Sequence, residues 1–490
     1  MTMPQNLPQI SGAHAGPPTG CLGQSRACPS EFPRRQFLKR SAVGLTAIGG
    51  GMYPALSLAA RLQGGHALSP QLTHVPAKAK QLIFVFLTGG FSHVDTFDPK
   101  PRLLADQGKI YSVKSVGRQH DLPLLPSPFK FKPSGRSGLM ISELFTHLQG
   151  VADELCVIRS LHSDIIEHFQ ATLAMHTGSA TVPMPSLGSW LSYGLGTLNP
   201  NLPAYMVLAE RMPYAGAQVW DSNFLPPLHQ GVRITPGDNP IPNLHSTVRS
   251  ATLQELEQVM LRDLNEMHAA GRPSDIGLRA RINTFQTARG MMREAPEVLN
   301  TSQETAETHQ LYGLKAGDRS SFAWQCLVAR RLIERGVRVV ELIDTGADNN
   351  WDAHGNPQEH RPKAARVDKP LAGLIADLKR RGMLDQTLIV CCTEFGRTPW
   401  AQEPKSKGRN HWCKAFSCLL CGGGVKGGLA YGETDEFGAT PAHNPVHLHD
   451  YHATILHLLG IDHKRLTYRY AGRDFRLTDV HGNVVHYIIA

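Results

Sequence analysis

Leu82-Ile83-Phe84-Val85-Phe86-Leu87-Thr88-Gly89-Gly90-Phe91-Ser92-His93-Val94-Asp95-Thr96-Phe97-Asp98 changes character at Thr88. Before it the chain is wholly apolar, with Ile, Val and two Phe among six residues. A strand with one wet face would alternate apolar with polar, so this run reads as a strand covered on both faces. After Thr88 two glycines turn the chain, and His93, Asp95 and Asp98 follow.

Four further runs repeat the pattern at 155–158, 337–343, 387–392 and 415–421. Helical patterns with clear stops lie between some of them. One, at 322–335, sets Cys326, Leu327, Leu332 and Ile333 on one side and ends at Gly336. The next is expected to start at Asp368, with Pro370 in its first turn, and to stop at Gly382. A third runs over 451–459, with Asp450 as its cap and Gly460 beyond it. Strand, helix and strand joined by short loops imply an α/β fold. It is a doubly wound, mostly parallel sheet with helices on both faces. Residues 248–316 read instead as a helical insertion, with long polar helices at 252–270 and 276–293. The remainder of 78–490 is expected to form a single domain around that sheet.

The 490-residue chain has a formal net charge of +9, with no Lys/Arg run of the kind that tracks a nucleic-acid backbone. Nine cysteines, an odd number without scaffold spacing, argue against a disulfide framework. Residues 1–33 are Pro-, Gly-, Ser- and Gln-rich and read as disordered. Pro33-Arg34-Arg35-Gln36-Phe37-Leu38-Lys39 then precedes a mild apolar run from 42 to 60. Paired arginines before a weakly hydrophobic, small-residue stretch form a twin-arginine export signal. Pro33 stands where Ser or Thr is usual. Gly44, Gly49, Gly50 and Gly51 make the run a poor membrane anchor, and no later segment is long enough to span a bilayer. The expected location is therefore periplasmic or otherwise extracytoplasmic, with no stable membrane span once the signal is removed.

Chemistry-bearing residues gather behind the strands. His93 and Asp95 follow the first, and His162, His168 and His176 the second. Asp344, Asp352 and His354 follow the third; Glu394, Arg397, Arg409 and His411 follow the fourth. In an open parallel sheet the C-terminal strand ends share one edge, where ligands bind, so these groups converge on one site. Carboxylates and imidazoles suit a divalent metal such as zinc, manganese, iron or calcium. Asp352, His354, Glu394 and His411 are the expected ligands, with His93 and Asp95 as additions. Arg397 and Arg409 would clamp an anionic group, because a planar bidentate donor suits it better than lysine. Each residue has a plainer use as well. A histidine can be a hydrogen-bonded core residue, Asp98 or Asp352 can cap a turn, and Glu394 can pair with Arg397.

Weaker signals point elsewhere. Cys418-Leu419-Leu420-Cys421 has the CxxC spacing but lies in a strand-like run, where the two thiols face opposite sides. Gly422-Gly423-Gly424 lacks the phosphate-loop spacing and reads as a tight exit turn. The tract His443, His447, His449, His452, His457 reads as a polar loop entering a helix, and no Gly-x-Ser-x-Gly frames Ser92, Ser160 or Ser163.

Several motifs together resemble one family. They are the 86–101 segment, Met175-His176-Thr177-Gly178, Pro185-Ser186-Leu187-Gly188-Ser189-Trp190, Trp351-Asp352-Ala353-His354, Thr393-Glu394-Phe395-Gly396-Arg397-Thr398-Pro399, Gly408-Arg409-Asn410-His411 and the 462–478 segment. The chain resembles the bacterial domain-of-unknown-function 1501 family of twin-arginine-exported proteins. That family in turn is similar to the alkaline phosphatase and sulfatase superfamily, which implies an α/β fold with a metal site at its strand ends. By that likeness His168 stands where the nucleophile would be, counted back from Thr177-Gly178, and Thr172 replaces the expected arginine. The first-strand aspartate falls near Gly89, and the later Asp-His-Gly becomes Glu394-Phe395-Gly396. The resemblance therefore implies metal-dependent hydrolysis of phosphate or sulfate esters, on an anionic substrate such as a polysaccharide, with His168 as a catalytic residue or ligand. The alternative is an inactive relative that binds an anionic glycan or a co-exported partner.

Overall fold

The computed structural model describes residues 68–490 except 116–117 and 245–249, so the twin-arginine segment lies outside the described residues. The described residues form one compact unit. Its centre is a nine-stranded sheet made of β1 (Gln81–Phe86), β2 (Leu155–His162), β3 (Tyr205–Ala209), β4 (Val232–Ile234), β5 (Val339–Ile343), β6 (Thr387–Cys392), β9 (Phe416–Cys421), β10 (Leu429–Tyr431) and β11 (Val446–His447). A two-stranded hairpin of β7 (Gly396–Ala401) and β8 (Arg409–Trp412) stands outside the sheet. The strand order is β10-β2-β9-β6-β1-β5-β3-β4, with β11 also pairing with β2. Only β9 runs against the rest, antiparallel to both β6 and β2.

Both faces of the sheet are covered, as the unbroken apolar runs require. Ile83, Val85, Val340, Leu342, Ile389 and Cys391 pack into one cluster with α5 (Phe322–Glu334) and α6 (His360–Arg380). Leu82, Phe84, Phe86, Val339, Leu388 and Val390 pack into the other with α2 (Leu187–Leu195) and α7 (Leu448–Leu458). The cysteines among the described residues are free and buried, Cys418 and Cys421 included.

Three element boundaries differ from the sequence expectation. Helix α6 begins at His360, behind a capping box of Asn356 and Glu359, and carries Pro370 inside. Asp368 caps a different element, accepting hydrogen bonds from the backbone N–H of His147 and Leu148 at 2.8 Å each. Helix α7 starts three residues early, because His447 is its cap and Asp450 the third-position partner in the capping box. In the 248–316 segment, α3 (Ala251–Ala270) and α4 (Ile276–Leu299) are present, but Met291, Ala295, Val298 and Leu299 of α4 join the main core. Its C-terminal end is therefore part of the sheet's cover.

Candidate metal centre

Strands β1, β5 and β6 end level with one another. Phe86 pairs with Ile343 on one side and Cys392 on the other, so the loops carrying Gly89, Asp352 and Glu394 leave from one edge. Gly89 ties them together. Its N–H donates to Glu394 Oε1 and Oε2 at 2.9 and 3.1 Å. Its φ is +111°, and a Cβ there would fall 2.5 Å from Asn350 Oδ1 and 2.6 Å from the Asp352 nitrogen, so only glycine fits. The β7–β8 hairpin folds over this edge and pairs Arg397 with His411. Gly408 sits so close to the His354 carbonyl that a Cβ would lie 1.5 Å from its oxygen. Helix α1 (His168–Thr177) brings His168 in as its first residue.

Three imidazoles share one arrangement. The Nδ1 of His168 lies 2.7 Å from Glu394 Oε1, that of His354 2.6 Å from Gln402 Oε1, and that of His411 2.9 Å from the Ile166 carbonyl. These oxygens accept, so each Nδ1 bears the donated proton; the acceptors set the tautomers. Each Nε2 then faces Asp352, at 3.3 Å for His168, 2.8 Å for His354 and 3.3 Å for His411. The Nε2 atoms of His354 and His411 are 2.9 Å apart. When both rings are neutral, their Nδ1 protons are committed elsewhere and two lone pairs confront each other there. His168 Nε2 is likewise buried without a hydrogen-bond partner in good alignment. Stacking of Tyr214 on His168, with ring centres 4.2 Å apart, and the Phe395 ring at 4.7 Å hold the His168 ring in place.

Charge at the site follows from these contacts. Burial works against a charged His168, but the Asp352 and Glu394 carboxylates outweigh it and raise the ring to about 9. Burial alone would raise Asp352; the three histidines and Arg397 instead hold its carboxyl far below the usual range. His411 is lowered, chiefly by burial. The His354 and Asp352 side chains keep 34% and 25% of their surface exposed, so the site opens to solvent, while Glu394 and Arg397 form a buried floor.

The donor set fits a transition-metal ion. Nε2 of His168, His354 and His411 with an oxygen of Asp352 supply the nitrogen and oxygen ligands typical of zinc, manganese or iron, and each imidazole has an acceptor behind it, as metal-bound histidines do. His168, Asp352 and His411 each offer a ligand atom within 4.8 Å of the others. Calcium prefers an all-oxygen shell and suits three imidazoles poorly.

Five residues expected at the site depart from their expected roles. Asp95 and Arg409 form a buried bidentate ion pair at 2.7 and 3.1 Å, and Arg409 Nη1 donates to the Thr398 carbonyl at 3.0 Å. Neither has a group left for a metal or an anion. His93 is buried, with Nε2 2.8 Å from the Gly438 carbonyl, and burial lowers its pKa. Arg397 does reach the cluster, but it donates to the carbonyls of Gly90 and Gly89 and to Asp352 Oδ1, so its guanidinium supports the floor and does not clamp an anion. Both Glu394 oxygens receive the Gly89 N–H, and His168 and Thr393 occupy one each, which makes Glu394 the support for His168. Sequence reasoning missed Tyr214, Gln402 and the Ile166 carbonyl. Tyr214 follows β3, a strand not read from the sequence, and the other two carry no motif.

A model of the family described as protein of unknown function (DUF1501) matches residues 79–489, and the chain belongs to that family. No curated protein sequence matches the chain. Among solved structures, it is similar to the lipoteichoic acid synthase LtaP from Listeria monocytogenes, at 11% identity and a TM-score of 0.33 over 84% of this chain and 78% of that one. It is similar to the PsFucS1 sulfatase from Pseudoalteromonas sp., at 12% identity and a TM-score of 0.33 over 84% and 72% of the two chains. The C-terminal periplasmic domain of EcEptC from Escherichia coli, in complex with Zn, matches at 10% identity and a TM-score of 0.34 over 79% and 84%.

Proposed function

We propose that this family member is an exported, metal-dependent hydrolase of phosphate or sulfate esters, with His168, His354, His411 and Asp352 as the ligands of one divalent ion. One observation carries the reading: three imidazoles hold their Nδ1 protons on oxygen acceptors and turn three Nε2 atoms toward one carboxylate. A bound divalent ion supplies electrostatic stabilisation of a phosphoryl or sulfuryl oxygen and lowers the pKa of water. Around it, Glu394, Gln402 and the Ile166 carbonyl fix the three rings, and Arg397 neutralises Asp352. The Thr393 hydroxyl beside Glu394 is committed to the Leu87 carbonyl and to Glu394 itself. Water attack therefore asks less of this site than a covalent intermediate.

A second reading rests on Arg397. Its contact with Asp352, and a charged His168 between two carboxylates, balance the site's charge without an ion. The chain would then be a binding protein for an anionic ester or glycan. Aryl phosphate and aryl sulfate turnover by natively purified protein separates the two. Activity that disappears with chelation and in His354→Ala supports the hydrolase. Protein holding stoichiometric metal but turning over neither ester would overturn the ester-hydrolase reading and leave the metal centre standing.

A further inference from the structure

Helix α3 (Ala251–Ala270) wears its apolar residues outward. Leu253, Leu256, Met260, Leu264 and Met267 are 60%, 60%, 63%, 51% and 74% exposed, whereas Gln254, Gln258 and Asn265 lie on the less exposed side. Surface helices ordinarily turn such a stripe toward the core. The face that α3 turns to its own chain is occupied by α4 (Ile276–Leu299), linked through a Glu255–Arg289 ion pair, so the stripe has no cover within the described residues.

The spacing of the stripe names its partner. From Leu253 the intervals are three, four, four and three, a palindrome centred on Met260. An isologous two-fold contact requires such self-complementarity. With two α3 helices antiparallel about an axis at Met260, Leu253 meets the partner's Met267, Leu256 meets the partner's Leu264, and Met260 meets the partner's Met260. Glu257 and Asp263 fall on opposite flanks of the stripe. Each stands about 9 Å along the axis from its own symmetry mate, so no like charges face directly. Leu261 and Phe285 of α4, 46% and 62% exposed, add apolar surface on the neighbouring flank. Together these seven side chains expose on the order of 700 Å², near the 800 Å² per partner of a stable interface. A lipid surface suits the helix less well. Interfacial helices flank their apolar face with Lys and Arg, whereas α3 carries Glu255, Glu257, Asp263 and Glu266 against one arginine, Arg262.

We propose that α3 is a homodimer interface, in which two copies of the chain pair antiparallel about Met260. Light scattering of the purified protein at tens of micromolar is expected to give twice the chain mass. Leu256→Glu with Leu264→Glu is expected to halve that mass with an unchanged circular dichroism spectrum. Oxidised Met260→Cys is expected to form a covalent dimer and Leu253→Cys is not, because the axis sets only position 260 against itself. The buried native cysteines of the described residues keep that background low. A wild-type monomer, a dimer unmoved by the double glutamate variant, or self-crosslinking at 253 in place of 260 would each overturn the proposal. So would a monomer that floats with phosphatidylcholine vesicles.

Discussion

At the scale of single residues, the side chains behind the ligands decide as much as the ligands. Gln402 touches no metal position; it holds His354 Nδ1 at 2.6 Å and so fixes which nitrogen faces Asp352. Loss of such an outer contact usually weakens metal binding 10- to 100-fold. Gln402→Leu is therefore expected to weaken binding by about that factor with the fold intact, as a zinc titration against a competing chelator would show; unchanged affinity would count against the arrangement. Asp95 and Arg409 test the opposite assignment, as structure and not chemistry. Arg409→Met leaves a buried carboxylate held by Ser92 Oγ alone, and removing one partner of a buried pair costs about 3–5 kcal/mol. Urea unfolding is expected to register that loss, with part of it restored in Asp95→Leu/Arg409→Met. Asp352, His354 and His411 were legible as candidates because their loops follow strands. Their separation from Asp95 and Arg409 was not, since an ion pair between residues 314 positions apart leaves no trace in local spacing.

At the scale of elements, the strands were the legible part. Six apolar residues in a row can only be a buried segment, and β1, β5 and β6 lie where that pattern put them. Boundaries set by side-chain caps were less legible, because Asp368 reads equally well as the cap of its own helix or of another. The elements also bury histidines in neutral form. Burial lowers His452 in α7 to about 3 and His360, the first residue of α6, to about 4. His360 Nε2 accepts the Ser92 N–H at 3.0 Å, which a charged ring could not do. These folded pKa values lie below the unfolded value of about 6.5. Their contribution is therefore complete above pH 6.5 and is lost as pH falls toward 4, by up to about 1.4 kcal/mol per unit for each ring. Thermal melts from pH 7 to 4.5 are expected to show the melting temperature falling, and His452→Gln is expected to flatten part of that slope. An equal slope in the variant would remove His452 from the account.

At the scale of the whole molecule, one sheet edge collects groups that the sequence scatters over 244 positions, from His168 to His411. The parallel strands do this by bringing their C-terminal ends together, and the β7–β8 hairpin completes it by folding His411 back over the edge. The run at 415–421 was legible as a strand, but its reversed direction was not, because a run buried on both faces looks the same in either direction. The proposed export rests on Arg34 and Arg35. Replacing both with lysine is expected to retain the full-length chain in the cytoplasm, whereas unchanged export would remove the twin-arginine reading. The central claim is that four side chains carried behind three strands, β2, β5 and β6, hold one ion. Anomalous diffraction from crystals of natively purified protein measures this directly. The expected result is one strong peak about 2.0–2.2 Å from the Nε2 atoms of His168, His354 and His411 and from an oxygen of Asp352. A well-ordered site with no peak, and Arg397 alone against Asp352, would contradict it.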